Sequence, residues 1–320
     1  MELRANQELL EAKVDEPTLV TVGMFDGVHL GHKYLLNLLK NESTKRNMSP
    51  AVLTFRDHPQ SILRPESQVP LITSLDDRLS LISNEGINFL VPLTFDQDLS
   101  LVGARSFVEM LKITINLRGF LVGPDFALGH KREGTIPVLT ALGKEMGFFV
   151  SVLDVLELEG NSVRSTNVRN SIKEGNMELA AKLLGRPHSF SAKVVHGEGR
   201  GKKLGFPTAN LLYDNSLIIP HDGVYATWIE IDGQYMPSAT SIGNNPTFKG
   251  ENITVETFIL GFDSDIYDVN VRLIFGPMLR EMASFSSSNE LVEQMKNDIS
   301  NVHDALNKFP FNHDSFSFLP

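Results

Sequence analysis

The sequence predicts an α/β domain built on a parallel sheet, followed by a small antiparallel β-barrel that carries a C-terminal helix. Three observations point there. From Thr18 to Gly147 short apolar runs alternate with longer amphipathic stretches, the pattern of strand-helix-strand units. After Gly185-Arg186-Pro187 the texture changes to closely spaced β-rich segments separated by turns. Beyond them runs one long amphipathic stretch, Ser288 to Lys308.

In chain order, TLVTVGMF reads as the first strand, HKYLLNLLKN as a helix and PAVLTF as the next strand. Further strands are expected at FLVPLTF and GFLVG, with helices over Ser106 to Asn116 and Val138 to Met146. A helical pair, Asn167 to Glu174 and Met177 to Leu184, ends in a glycine and a proline that suit a helix stop. The domain boundary is therefore set after residue 185, giving domains 1–185 and 186–308 and a loosely ordered tail, 309–320. Within the second domain HSFSAKVVHG, GVYATWIEIDGQYM, NITVETFILGF and YDVNVRLIF read as strands, with Asp232-Gly233 as a hairpin turn. Leu291, Met295, Ile299, Val302 and Leu306 recur at helical spacing, so the last helix presents one apolar face to the barrel. No internal repeat is visible.

Composition narrows the function. With 320 residues and 42% hydrophobic side chains, the chain has the length of about two domains. A formal charge of −10, from 39 acidic and 29 basic residues, disfavours general nucleic-acid binding. Small anions remain open to local clusters of basic side chains and backbone N–H groups. With no cysteine, disulfides, thiolate nucleophiles and Cys-based zinc sites are excluded. A polar N-terminus and the lack of an apolar run of ~20 residues lead us to expect a soluble cytoplasmic protein off the membrane.

Two segments carry chemistry. The first, Gly23-Met24-Phe25-Asp26-Gly27-Val28-His29-Leu30-Gly31-His32, joins the first strand to a helix and puts glycines and histidines at a helix N-terminus. Free N–H groups and the helix dipole favour anions there. His29 and His32 are spaced to donate hydrogen bonds to phosphate oxygens during attack on an α-phosphate; a solvated histidine pair beside a glycine turn is the plain alternative. The second segment, GEGRGKKLGFPTAN over 197–210, combines glycines and basic residues, so backbone and charge can approach phosphates closely. Thr208 and Asn210 add neutral oxygens of the kind Mg²⁺ accepts, while a basic hairpin turn is the alternative.

The first segment resembles G-x-F-D-G-x-H-x-G-H, the signature of the nucleotidylyltransferase module of bacterial bifunctional riboflavin kinase/FMN adenylyltransferases, or FAD synthetases, and matches every fixed position. The resemblance implies a Rossmann-like nucleotidylyltransferase fold in which Gly23, Phe25, Asp26, His29, Gly31 and His32 serve the ATP site. FRDHP resembles F-x-P-H-P, with His58 matched and Asp57 in place of proline. GPDFALGHKREG resembles G-x-[DN]-F-x-[FL]-G-x-x-R-x-G, which makes Asp125 a partner for adenosine or flavin and Arg132 a phosphate or structural contact. An Asp capping a turn is the alternative for Asp125. Ser162 to Arg169 resembles R-[VIF]-S-S-T-x-[IV]-R with Ser162 and Arg164 exchanged. Arg164, Ser165, Thr166 and Arg169 are then expected around the triphosphate, although Ser165 or Thr166 would equally suit a helix N-cap.

The second segment matches the riboflavin kinase pattern G-x-G-[RK]-G-[RK]-x-L-G-[FY]-P-T-A-N throughout. This implies ATP contacts from Gly199, Gly201, Lys202, Gly205, Pro207, Thr208 and Asn210, with Thr208 and Asn210 on Mg²⁺. Glu256 in VETFI matches the family's catalytic glutamate, where an exposed strand carboxylate is the alternative. SIGNNPTF resembles N-I-G-x-[RK]-P-T-F with Ser241 and Asn245 substituted, and FGPMLREMASF has Met282 where a glutamate is usual. Leu279, Arg280 and Phe285 are retained and implied to shape the flavin pocket. The family thus implies ATP-dependent conversion of riboflavin to FMN and of FMN to FAD. Two alternatives remain: a riboflavin kinase with a weak or inactive adenylyltransferase module, and a flavin-binding regulator without turnover. Sequence leaves the oligomeric state open.

Overall fold

The computed structural model describes residues 3–318 apart from 13, 65, 67, 68, 155, 159, 160, 198, 200, 202, 203, 248, 249, 310 and 313–316. Packing divides the chain into two compact units, Met1–Arg164 and Ser165–Pro320.

The first unit contains α1 (Arg4–Glu11), β1 (Thr18–Val22), α2 (Leu30–Lys45), β2 (Ser49–Phe55), α3 (Pro59–Leu63), α4 (Leu75–Asn84), β3 (Phe89–Leu93), α5 (Gln97–Ser100), α6 (Ala104–Thr114) and β4 (Leu117–Val122). After these come β5 (Ala127–Leu128), β6 (Gly134–Thr135), α7 (Ile136–Met146), β7 (Phe149–Val152), β8 (Glu157–Leu158) and β9 (Asn161–Ser162). Five strands form one parallel sheet in the order β3-β2-β1-β4-β7. Alternation along these strands divides the core between the faces: Val20, Leu53 and Phe120 join the cluster containing Leu9, Val108 and Leu139, while Leu19, Val52 and Leu121 join that of Leu36 and Ile82. Strand order reverses between β1 and β4, which opens a crevice at their carboxyl ends, the place where open α/β sheets bind ligands.

The second unit begins with α8 (Ser165–Lys173) and α9 (Met177–Leu184). Its strands are β10 (Ser189–Val195), β11 (Ala209–Tyr213), β12 (Gly223–Ile231), β13 (Gln234–Thr247), β14 (Gly250–Ile259) and β15 (Asn270–Arg280). They close into a barrel, β10-β11-β14-β13-β12-β15, with antiparallel neighbours. Asp232 and Gly233 both take positive φ, 51° and 77°, the backbone a tight hairpin between β12 and β13 requires. β12 is buried along almost its whole length because Tyr225, Thr227 and Ile229 alternate with Ala226 and Trp228, and the latter two lie in a cluster with Val302, Leu306 and Phe309. The last three belong to or follow α10 (Ser288–Lys308), which covers that side of the barrel as its apolar spacing predicts.

The packing boundary precedes the one expected after residue 185. Ala181 of α9 shares the Trp228 cluster, so the helical pair joins the barrel unit through its apolar face even though it lies upstream of the glycine-proline break. In the tail, Phe311–Asn312 pairs antiparallel with Ser317–Phe318. Among the described residues, no helix is long and apolar enough to cross a membrane.

Candidate functional site

In the first unit the sequence motifs emerge from the carboxyl ends of neighbouring strands. GMFDGVHLGH follows β1, FRDHP runs out of β2 and GPDF follows β4. His29 is the N-cap of α2, and its Nδ1 accepts from the backbone N–H of His32 at 3.3 Å. A neutral ring that accepts at Nδ1 carries its proton on Nε2, which makes Nε2 a hydrogen-bond donor. The His29 and His32 rings stack with centroids 3.7 Å apart, and Phe25 lies 5.0 Å from His32. Gly31 has to be small: a Cβ there would meet the Val163 carbonyl oxygen at 2.9 Å and the His29 ring at 3.1 Å. Val163 therefore lies against the first turn of α2, bringing the 162–164 segment to the histidine motif.

Asp26 has a different position from the other motif residues. Its carboxylate is buried and accepts from Ile72 N–H at 2.9 Å and Thr73 N–H at 3.2 Å, so it braces the loop from within. Arg78 of α4, which sequence reasoning missed, is wholly buried and donates to the carbonyls of Phe55 at 2.5 Å and Arg56 at 3.0 Å. Burial lowers its pKa below the usual guanidinium value, against the opposing influence of Asp26 and Asp57. A lone basic residue in an amphipathic helix gives no signal of such a role. His58 caps α3, its Nδ1 accepting from Gln60 N–H at 3.2 Å. Asp125 gathers both candidate arginines: Arg164 meets its carboxylate at 3.2 Å and Arg132 donates to its carbonyl at 2.8 Å. Arg164 thus lies at the GPDF segment, despite the exchange with Ser162. Ser165, Thr166 and Arg169 lie in the first two turns of α8, in the second unit.

The second unit holds a separate constellation. The loop between β10 and β11 turns on Gly201, whose carbonyl accepts from Leu204 N–H at 3.0 Å and Phe206 N–H at 2.9 Å. Gly199 and Gly205 both take positive φ, 67° and 84°, and Lys202 lies outside the described residues. Thr208 Oγ1 donates to Glu256 Oε2 at 3.1 Å. Strand register sets Asn210 of β11 directly opposite Glu256 of β14, and Gly197 leaves room for the Asn210 amide that a Cβ would occupy. The loop's end and Glu256 are thereby fixed side by side on a rigid wall.

Beside Thr208 opens a cavity of about 340 Å³ lined by Val194, Pro207, Thr257, Phe262, Asp263 and Tyr267, among others. The Tyr267 and His196 rings lie with centroids 3.7 Å apart, tilted by 31°. Sequence reasoning missed this wall; its one signal is a pair of aromatics within the polar run DSDIYD and its flank. Arg280, expected at the flavin, has its Nε and Nη2 on Asp298 of α10 at 2.9 and 2.8 Å and its guanidinium 5.8 Å from the Phe285 ring. Leu279 packs against the Trp228 cluster beneath α10. Both side chains are thus engaged with the C-terminal helix and the core beneath it. Among the described residues no group of three or more His, Cys, Asp or Glu could hold a metal ion.

Comparison with known proteins matches residues 11–167 to FAD synthetase and residues 184–306 to riboflavin kinase. The bifunctional riboflavin kinase/FMN adenylyltransferase of Listeria monocytogenes is 31% identical over 282 residues, 88% of this chain and 90% of the relative. That of Escherichia coli K12 is 31% identical over 287 residues, 88% and 91% of the two chains. A crystal structure of a protein from Streptococcus pneumoniae described as a macrolide-efflux protein superposes with a TM-score of 0.85 at 29% identity, covering 95% of this chain and 98% of the other. Matched along nearly its whole length, with both halves in the same order, the chain belongs to the bifunctional riboflavin kinase/FMN adenylyltransferase family.

Proposed function

We propose that the chain phosphorylates riboflavin to FMN in a kinase domain, residues 186–308, and adenylylates FMN to FAD in an adenylyltransferase domain, residues 1–185. One observation carries the kinase reading: Glu256 shares a strand pairing with Asn210 and a 3.1 Å hydrogen bond with Thr208, at the end of the glycine loop. Glu256 accepts the proton of the ribityl 5′-hydroxyl as it attacks the γ-phosphate of ATP, releasing ADP. Gly199, Gly201, Lys202, Gly205 and Pro207 form the loop over the phosphates. The cavity beside Thr208, with Phe262 and Tyr267, suits the flat base of the nucleotide. The donor set fits Mg²⁺: Thr208 and Asn210 offer the neutral oxygens that would hold it beside the phosphates, where it would neutralise their charge, and such a site requires no cluster of carboxylates.

In the adenylyltransferase, His29 and His32 donate to the phosphates of a second ATP at the helix N-terminus, where FMN attacks the α-phosphate and pyrophosphate leaves. Gly23, Phe25, Gly31 and the brace of Asp26 shape that turn. Arg164 supplies a further phosphate contact, while His58, Asp125 and Arg132 face the adenosine or flavin. The reactants are small and soluble, and the net charge of −10 disfavours polyanions, in keeping with a cytoplasmic enzyme that engages neither nucleic acid nor membrane. Incubation of the pure protein with riboflavin and Mg-ATP, followed by separation of the flavins, tests both steps: FAD is expected. Accumulation of FMN alone would refute the adenylyl step, binding without release of ADP would refute the kinase step, and failure to form FAD and pyrophosphate from supplied FMN as well would refute both.

A further inference from the structure

We propose that Met282, seated on Ser241, forms the acceptor-side wall of the phosphotransfer site and tunes it toward an apolar, flat ring system. The proposal rests on the reading of the barrel as a riboflavin kinase. Strand register supplies its first step. Glu256 of β14 is paired with Asn210 of β11 on one side and with Ser241 of β13 on the other. Directly opposed residues of antiparallel strands share a face, their Cβ atoms ~5 Å apart. Asn210, Glu256 and Ser241 therefore form a row across three strands.

Thr208, Asn210 and the glycine loop occupy one end of that row. An alcohol attacking a γ-phosphate approaches in line, from the side opposite the departing ADP. With the nucleotide at the Asn210 end, the acceptor enters at the Ser241 end and its carbon skeleton passes over β13. Met282 lies there. The Ser241 hydroxyl donates to its Sδ at 3.8 Å, and a Cβ built on Gly243 would meet its Cε at 3.3 Å. Ser241 and Gly243 are two residues apart on one strand and share a face, so the Met282 side chain runs along the acceptor side of β13.

Met282 is 49% exposed, so a large part of its surface is open to a ligand. Its backbone is steadied two residues earlier by the Arg280 guanidinium on Asp298, whose Oδ1 also accepts from Gln294 at 2.8 Å. Ser241 and Met282 both depart from the polar residues of the kinase pattern, and they touch. Where the kinase pattern has a glutamate, this wall presents a polarizable thioether, which packs well on aromatic rings.

The test is steady-state kinetics of the full chain and its M282A, M282E and M282L variants, with riboflavin and ATP varied separately and lumichrome, the tricyclic ring without the polyol, as competitor. M282A and M282E are expected to raise the riboflavin KM about 3–10-fold, weaken lumichrome inhibition in parallel and leave the ATP KM within about two-fold. M282L, which keeps the apolar volume, is expected to lose less than either. An unchanged riboflavin KM in both M282A and M282E would overturn the proposal, as would an equal rise in the two KM values. No FMN from the unaltered protein would instead overturn the kinase reading on which the proposal stands.

Discussion

The role proposed for Glu256 rests on its neighbours. On a strand with alternating exposure, a half-buried carboxylate is usually a solvated side chain. Here Thr208 donates to it and Asn210 faces it across the strand pairing. Gln at this position keeps the size and one acceptor oxygen for Thr208 but cannot take a proton. E256Q is therefore expected to lower kcat for FMN formation by about 10²–10⁴-fold, with the ATP KM little changed. Coupled measurement of ADP release reads this directly, and turnover within a few-fold of the unaltered protein would remove Glu256 from the proton-accepting role. The string VETFI alone does not distinguish such a residue from a surface glutamate; its place in the kinase pattern and the register of β11, β14 and β13 do. Met282 was legible only as a departure from that pattern, because its contact with Ser241 spans a long stretch of chain that sequence spacing does not encode.

Among the elements, Asp26 links the loop after β1 to the segment before α4. Its oxygens satisfy the N–H groups of Ile72 and Thr73 in a fully buried setting, at 2.9 to 3.2 Å. Ala there would strand buried donors, and hydrogen bonds to a charged group are each worth about 1.5–3 kcal/mol. D26A is expected to destabilise the first unit by roughly 3 kcal/mol, and D26N, which keeps one acceptor oxygen, by about half that. Denaturant unfolding followed by probes in each unit measures the loss; a drop in adenylyl transfer with no shift in that unfolding would instead assign Asp26 to the substrate. The long strands, α2, α7 and α10 were legible because their apolar period is strong. α1 was not, since only Ala5 and Leu9 of its polar sequence are buried. The helical pair α8 and α9 was recognised as helices, yet its partner was not, because an apolar helix face does not name the surface that will cover it.

At the scale of the whole molecule, the two proposed reactions are joined by a free product: FMN leaves the kinase and serves as substrate for adenylyl transfer. Glu256 and His29 belong to different compact units, and the residues proposed around each do not overlap. Neither chemistry needs a covalent link to the protein, since each is an in-line attack on phosphorus governed by positioning and charge neutralisation. Single variants should therefore complement each other in solution. E256Q alone is expected to make no FMN from riboflavin but to adenylylate supplied FMN, while H29A is expected to stop at FMN. Mixed in equal amounts with riboflavin and Mg-ATP, the two should form FAD after a lag in which FMN accumulates, and the lag should shorten as the concentration of H29A rises. Chromatography of timed samples follows all three flavins at once. If each variant retains its half-reaction but the mixture forms no FAD, FMN must pass within a single chain without release, and the independence of the two sites falls.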